Sequence, residues 1–228
     1  MANATTGAFC DGQAHNGIAD QAVRLWDVVG WIVHQALVDN PGFELVITGH
    51  SLGAGTACLL TIKCYYDKLV GNHKVRCFAY ASPAVFTPLS AAPKAVANTV
   101  GYIHDDDCVS FLSVANLREL LDSVDKVKSY CKGWKIGSIF GDGEVDHALV
   151  KIVAKSGAHS RPDIEGAPKS YIPASAIVWM RGDTHGGYTA SVYDPEKLPE
   201  IFVDIDMLKD HFPPFYEEAL LTLSTNTR

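Results

Sequence analysis

Phe43-Glu44-Leu45-Val46-Ile47-Thr48-Gly49-His50-Ser51-Leu52-Gly53-Ala54-Gly55 is the stretch whose reading decides the fold. Phe43 to Thr48 reads as a short buried strand. Ala54 to Tyr66 is rich in Ala, Leu and Ile and holds no proline, a composition that favours helix. The Gly-x-Ser-x-Gly pentapeptide between them predicts a sharp strand-to-helix elbow that lifts the Ser51 hydroxyl clear of a sheet. Glycine is expected at 49 and 53 because side chains there would collide with the neighbouring strand and the first helical turn. His50 then lies inside the elbow with its side chain pointing away from the Ser51 hydroxyl. The plainer alternative is a Gly/Ser turn in an ordinary α/β unit.

A serine is inert at neutral pH without a base to take its proton, and the base needs a third group to orient it. Behind an elbow of this kind the partners follow in the order acid, then histidine, each after a later strand. Asn98-Thr99-Val100-Gly101-Tyr102-Ile103 reads as a strand and runs into Asp105-Asp106-Asp107. Three adjacent carboxylates cannot all be buried and paired at tolerable cost, so one is expected to face inward and two to stay solvated. An acidic turn or a weak cation site is the competing reading of the trio. Of the nine histidines, His15, His34 and His73 break the expected order and His104 falls on the wrong side of the acid. Of His147, His159, His185 and His211, the last follows a strand-like run (Glu200 to Ile205) and precedes a helix-like one (Pro214 to Leu223). His211 is therefore the candidate base, with a plain surface histidine as the alternative.

The chain resembles the class 3 lipase family, and within it the sn-1-specific diacylglycerol lipases. The likeness is carried by Gly12-Gln13-Ala14-His15-Asn16-Gly17, by Leu45 to Gly55 and by Cys77-Phe78-Ala79-Tyr80-Ala81-Ser82-Pro83. Asp107-Cys108-Val109-Ser110-Phe111-Leu112 and Asp210-His211-Phe212-Pro213, with Tyr216 and Ala219-Leu220 behind them, complete it. The resemblance implies an α/β-hydrolase-like fold, a mostly parallel sheet with helices on both faces. It carries the triad acid onto Asp107 and the base onto His211. Two departures stand out. Ser110 replaces a usual proline, and the Arg-Gly-Thr-type turn that the family places well before the elbow is absent. That turn supplies an oxyanion donor, so the chain is expected to lack the N-terminal part of the domain, unless Thr5-Thr6-Gly7 folds back as a substitute. Met1 to Gly17 holds no convincing strand. One sheet edge is expected to be short and activity weak.

Composition fits one catalytic domain over residues 1–228, large enough to bury a substantial core. The net charge of −7 comes with scattered Lys and Arg and no basic stripe, which argues against nucleic acid. The six cysteines include no C-x-x-C pair, so no metal site is expected. Met1 to Thr6 is polar, no signal peptide is expected, and reduced thiols in a cytoplasmic protein follow. No run is long enough for a membrane span. Helices are expected over Ile18 to Val38 and Leu112 to Tyr130, and strands over Val75 to Ala81, Ala174 to Met180 and Tyr188 to Tyr193. Cys131 to Pro173 reads as a loosely packed insertion or cover over the site.

The expected chemistry is hydrolysis of a lipid carboxylic ester, di- or monoacylglycerol by resemblance, with no cofactor. Ser51 is the nucleophile, His211 the base, Asp107 its orienting acid and the Leu52 backbone N–H an oxyanion donor. A lipid ester partner is implied, with contact to a membrane or lipid-droplet surface. The alternatives are a phospholipase A1, a feruloyl-type esterase and a non-catalytic lipase-like protein-binding domain.

Overall fold

A computed structural model describes residues 5–111, 169–198, 207 and 209–225. The expected helix over 112–130, the strand over 200–205 and most of the 131–173 insertion lie outside the described residues.

Among the described residues, five strands form the central sheet, in the order β3 (Leu45–His50), β4 (Val75–Tyr80), β6 (Thr99–His104), β7 (Ala176–Gly182), β8 (Tyr188–Tyr193). The first four run parallel and β8 is antiparallel to β7. Period-2 alternation assigns the two faces. Cys77 and Ala79 of β4 pack with Ala54, Ala57 and Cys58 of helix α2 (Leu52–Tyr66). Tyr80 of the same strand points the other way, into a cluster with Tyr216 and Ala219 of helix α3 (Pro213–Thr225). The sheet therefore has helices on both faces, as a parallel sheet requires.

Helix α2 is apolar on almost every side, and its residues from Ala54 to Ile62 are all buried. Such a helix is stable only when covered on several sides, and the long helix α1 (Asn16–Asp39) supplies one cover through Ile18, Ala19 and Ala22. Helix α1 ends where Asn40 bonds back to the Ala36 carbonyl at 2.9 Å and Pro41-Gly42 follows. Its outer side is apolar too. Leu25, Val28, Trp31, Ile32 and Val38 are all exposed, Trp31 by 72%. Strand β3, which leads into the elbow, is one edge of the sheet among the described residues, and β8 is the other.

Two expectations fail here. The N-terminal stretch does contain strands: β1 (Thr6–Phe9) and β2 (Gly12–His15) form a hairpin, and β2 also pairs with β5 (Phe86–Thr87). Their Gly/Ala-rich sequence carries no strand signal of its own; tertiary packing of Ala14, 1% exposed, over Phe86 decides it. The end of the supposed loose insertion is also firmly packed. Tyr171 exchanges backbone hydrogen bonds with Phe86, at 2.9 and 3.2 Å, and Ile172 is buried.

Candidate active site

Parallel strands β3, β4 and β6 end on the same side of the sheet, and the candidate groups collect there. Ser51 follows β3 directly, with φ 58° and ψ −129°. Non-glycine residues avoid that conformation at a cost of ~1–3 kcal/mol. The backbone is held in it by neighbours. The Ser51 N–H donates to the Tyr80 carbonyl at 2.9 Å, and the Ser51 carbonyl accepts the Ala54 N–H at 2.9 Å. A Cβ at Gly49 would lie 2.5 Å from the Gly53 carbonyl carbon and 2.8 Å from the Ala54 nitrogen, so only glycine fits. Gly53 differs from expectation. A Cβ there meets nothing within 4 Å, because position 53 is exposed in the first turn of α2. The tight approach is of the Gly49 Cα to the Gly53 backbone, and it constrains residue 49 alone.

The Ser51 hydroxyl lies 2.8 Å from His211 Nε2. On the other side of that ring, His211 Nδ1 lies 3.0 and 3.1 Å from the two carboxylate oxygens of Asp107. Asp107 is fully buried, at 0% exposure. An unpaired charge in such a place would be prohibitive, and two further donors meet it: the Val109 N–H at 2.8 Å and the Tyr216 hydroxyl at 2.6 Å. Burial and then the negative charge of Asp107 push the Tyr216 phenol well above the ordinary tyrosine range, so it stays a donor. Asp105 and Asp106 are only partly buried. The Asp105 carboxylate accepts the Gly182 N–H at 2.9 Å and takes no part in the serine–imidazole chain.

The structure thus brings Ser51, His211 and Asp107 together and leaves Asp105 and Asp106 outside. Leu52 stands at the first position of α2, where helical N–H groups lack partners within the helix and the dipole is positive. Thr6 and Gly7 pair with His15 and Ala14 in the β1–β2 hairpin, and the Thr5 carbonyl accepts the Asn16 N–H.

Three neighbours of the candidate site have contacts that the sequence reading does not give. Tyr216 was noted only as a matching position, although a tyrosine five residues past the candidate base on an apolar helix was a usable signal. His104 had been set aside by chain order, yet it is 2% exposed beneath the site. His50, expected only to lie inside the elbow, has its Nε2 2.8 Å from the His211 carbonyl. His104, Asp105 and Asp210 could each offer a metal one ligand atom within 4.8 Å of the others. Both His104 ring nitrogens, however, already have hydrogen-bond partners in the Asp210 carbonyl and the Tyr188 hydroxyl. A cleft of about 550 Å³ lined by His34, Leu37 and Lys68 among others sits beside the start of β3 and β4, at the far end of the strands from Ser51.

A nucleophile-type elbow at the end of a parallel strand, in a sheet covered by helices on both faces, defines an α/β-hydrolase-like protein. The family model for Lipase (class 3) matches residues 1–117, just over half of the 228, and the chain belongs to that family. Diacylglycerol lipase-beta of Mus musculus is 34% identical over 121 residues, which are 52% of this chain and 17% of that protein. Among solved structures, the lipase of Rhizomucor miehei in its propeptide complex is 18% identical with a TM-score of 0.44, over 50% of this chain and 38% of that one. The lipase from Rhizopus microsporus var. chinensis is likewise 18% identical with a TM-score of 0.44, over 50% and 42%. The chain spans less than a fifth of the length of the curated relative it matches. Among the described residues, no helix is long and apolar enough to cross a membrane.

Proposed function

We propose that this chain is a serine hydrolase acting on lipid carboxylic esters, with di- or monoacylglycerol as the substrate class. The observation that carries the reading is the chain of contacts from Ser51 through His211 to the buried Asp107, at 2.8 and 3.0 Å. In this reading Ser51 Oγ attacks the ester carbonyl while His211 Nε2 takes its proton. The same nitrogen returns that proton to the leaving alcohol, and water then releases the acyl group from Ser51 by the same two steps. Asp107 holds the ring with Nδ1 protonated and offsets the positive charge that forms on it. The Leu52 backbone N–H donates to the oxyanion at the positive end of α2.

An apolar ester suits the surroundings. Leu52, beside the nucleophile, is 49% exposed, and Phe212, beside the base, is 58% exposed. Large apolar side chains left open next to a reacting hydroxyl favour an acyl chain, and a lipid surface, over a sugar ester. The similarity to a diacylglycerol lipase points the same way. We further expect turnover below the ordinary range. In this reading Leu52 is the one donor assigned, and working without a second donor typically costs about 10²–10³ in rate.

The deciding experiment is labelling with an organophosphate probe, followed by turnover on a panel of lipid, phospholipid and feruloyl esters. Labelling at Ser51 with preference for acylglycerols is the expected result. No labelling would mean a binding module, and preference for another ester would displace the substrate class. Turnover at or above ~10 s⁻¹ would mean that a second oxyanion donor exists.

A further inference from the structure

The imidazole of His211 has to satisfy two fixed groups at once, so a small movement of its main chain would spoil both contacts. What locates that main chain is visible at two consecutive carbonyls. The His211 carbonyl accepts from His50 Nε2 at 2.8 Å, and the Asp210 carbonyl accepts from His104 Nδ1 at 3.2 Å. His50 is the last residue of β3 and His104 the last residue of β6. These are the two strands that carry Ser51 and Asp107. Each histidine therefore ties the base segment to a strand that also presents one of the base's partners.

A carbonyl oxygen only accepts, so each contacting ring nitrogen carries its hydrogen. His50 is then the Nε2–H tautomer. At His104 that hydrogen is on Nδ1, while Nε2 lies 3.2 Å from the Tyr188 hydroxyl and 3.4 Å from an Asp105 carboxylate oxygen. The rings are held as well as the nitrogens. His50 lies 4.7 Å from the His211 ring, centroid to centroid, and 5.7 Å from that of Tyr216. His104 sits among Tyr188, Phe215 and Tyr216 at 5.6 to 5.9 Å. One further bond secures the same turn: the Asp106 N–H donates to the Asp210 carboxylate at 3.2 Å.

We propose that His50 and His104 are a pair of positioning residues, each donating a hydrogen bond to a main-chain carbonyl of the Asp210-His211 segment, that together hold the base in register with Ser51 and Asp107. They transfer no proton to substrate and touch no reacting atom. The proposal rests on the reading of His211 as the base.

If the two rings only filled space, a leucine of similar volume would replace them. If they act as donors, an amide whose nitrogen falls in the same place would do so: Gln Nε2 for His50 Nε2, and Asn Nδ2 for His104 Nδ1. The test measures kcat, KM and thermal unfolding on a short-chain ester for His50→Leu, His50→Gln, His104→Leu, His104→Asn and His211→Ala. The leucine variants are expected to lose about 10-fold or more in kcat with KM within about twofold, because misplacement acts on the chemical step. The amide variants are expected to recover to within about threefold of the original. Full kcat in folded leucine variants would overturn the proposal, as would amide variants that fold and yet fall as far as the leucines. Should the leucine variants fail to fold, the amide variants decide alone by the same threshold. An active His211→Ala protein would instead remove the reading of the base, a separate failure.

Discussion

The two sides of the candidate site are built in opposite ways. On the side of Asp107, the carboxylate itself is enclosed. The carboxylate is fully buried and meets a ring nitrogen, a backbone N–H and a phenol, while His104 and Tyr216 pack beneath it. On the side of Ser51, the strand is one edge of the sheet among the described residues, and helix α1, packed on α2, leaves Leu25, Val28, Trp31 and Ile32 exposed. What fixes Ser51 is backbone geometry: a forbidden φ, a glycine against a glycine, and one hydrogen bond to β4. A carboxylate removed from water is costly unless its lone pairs are met, so the enclosure of Asp107 calls for these donors. A neutral hydroxyl needs only to be aimed.

The largest expected effect breaks the contrast at its centre. Ser51→Ala and His211→Ala should each lower ester hydrolysis by at least ~10³, since members of such a unit fail together. Asp105→Asn and Asp106→Asn serve as controls with rates near the original. A disabling loss in either control, with Asp107→Asn harmless, would reassign the acid.

Next comes the backbone of the nucleophile side. Gly49→Ala should cost roughly 3 kcal/mol through contact with the Gly53 and Ala54 backbone, lowering Tm by about 6–12 °C for a chain of this size. Gly53→Ala, in an open helical position, should leave Tm unchanged or raise it slightly. Equal losses in a melting experiment would mean that the elbow is constrained at both glycines after all.

On the enclosed side, Tyr216→Phe keeps the packing and removes one donor to the carboxylate. A hydrogen bond to a charged group is worth ~1.5–3 kcal/mol, so a fall of about 10-fold in kcat is expected, with a lower Tm. A variant as active and as stable as the original would show that Asp107 is satisfied without the phenol.

The smallest effect is one of pH. Burial holds the His50 imidazole below the ordinary histidine range, partly offset by its hydrogen bond to the His211 carbonyl. A lowered value in the folded state means that folding favours the neutral ring. The associated stability is full above about pH 6.5, the ordinary value, and is lost as pH falls through the folded-state value. Between pH 7 and 5, Tm should therefore fall more in the original than in His50→Gln. A steeper fall in the variant would reverse the sign of this argument.

The alternating elements were largely readable from the sequence because their signals are local. A short strand-like run marks β3, apolar residues at helical spacing mark α1, and a proline-free Ala/Leu/Ile-rich tract marks α2, each within a few residues of the observed ends. Ser51, Asp107 and His211 were found by chain order and by resemblance. The β1–β2 hairpin is not legible because Thr6-Gly7-Ala8-Phe9 and Gly12-Gln13-Ala14-His15 are short and half Gly and Ala, and β2 is held by pairing with Phe86-Thr87, far away in the chain. His104 and His50 were passed over for a related reason. A histidine that donates to a carbonyl more than a hundred residues on has no periodicity or spacing to reveal it. The supposed collision at Gly53 was a pattern taken as symmetric when the packing is not.

Sheet order sets a length that no single residue controls. Strands β3 and β6 are separated by β4 alone, and two inter-strand spacings of ~4.8 Å put their ends roughly 9.6 Å apart. A hydroxymethyl and a carboxymethyl group cannot touch across that gap. One five-membered ring with a hydrogen bond on each side, 2.8 and 3.0 Å here, spans it. The width of β4 thus acts as a gauge block: one strand fewer would crowd the ring out, and one strand more would leave the proton path open-circuited.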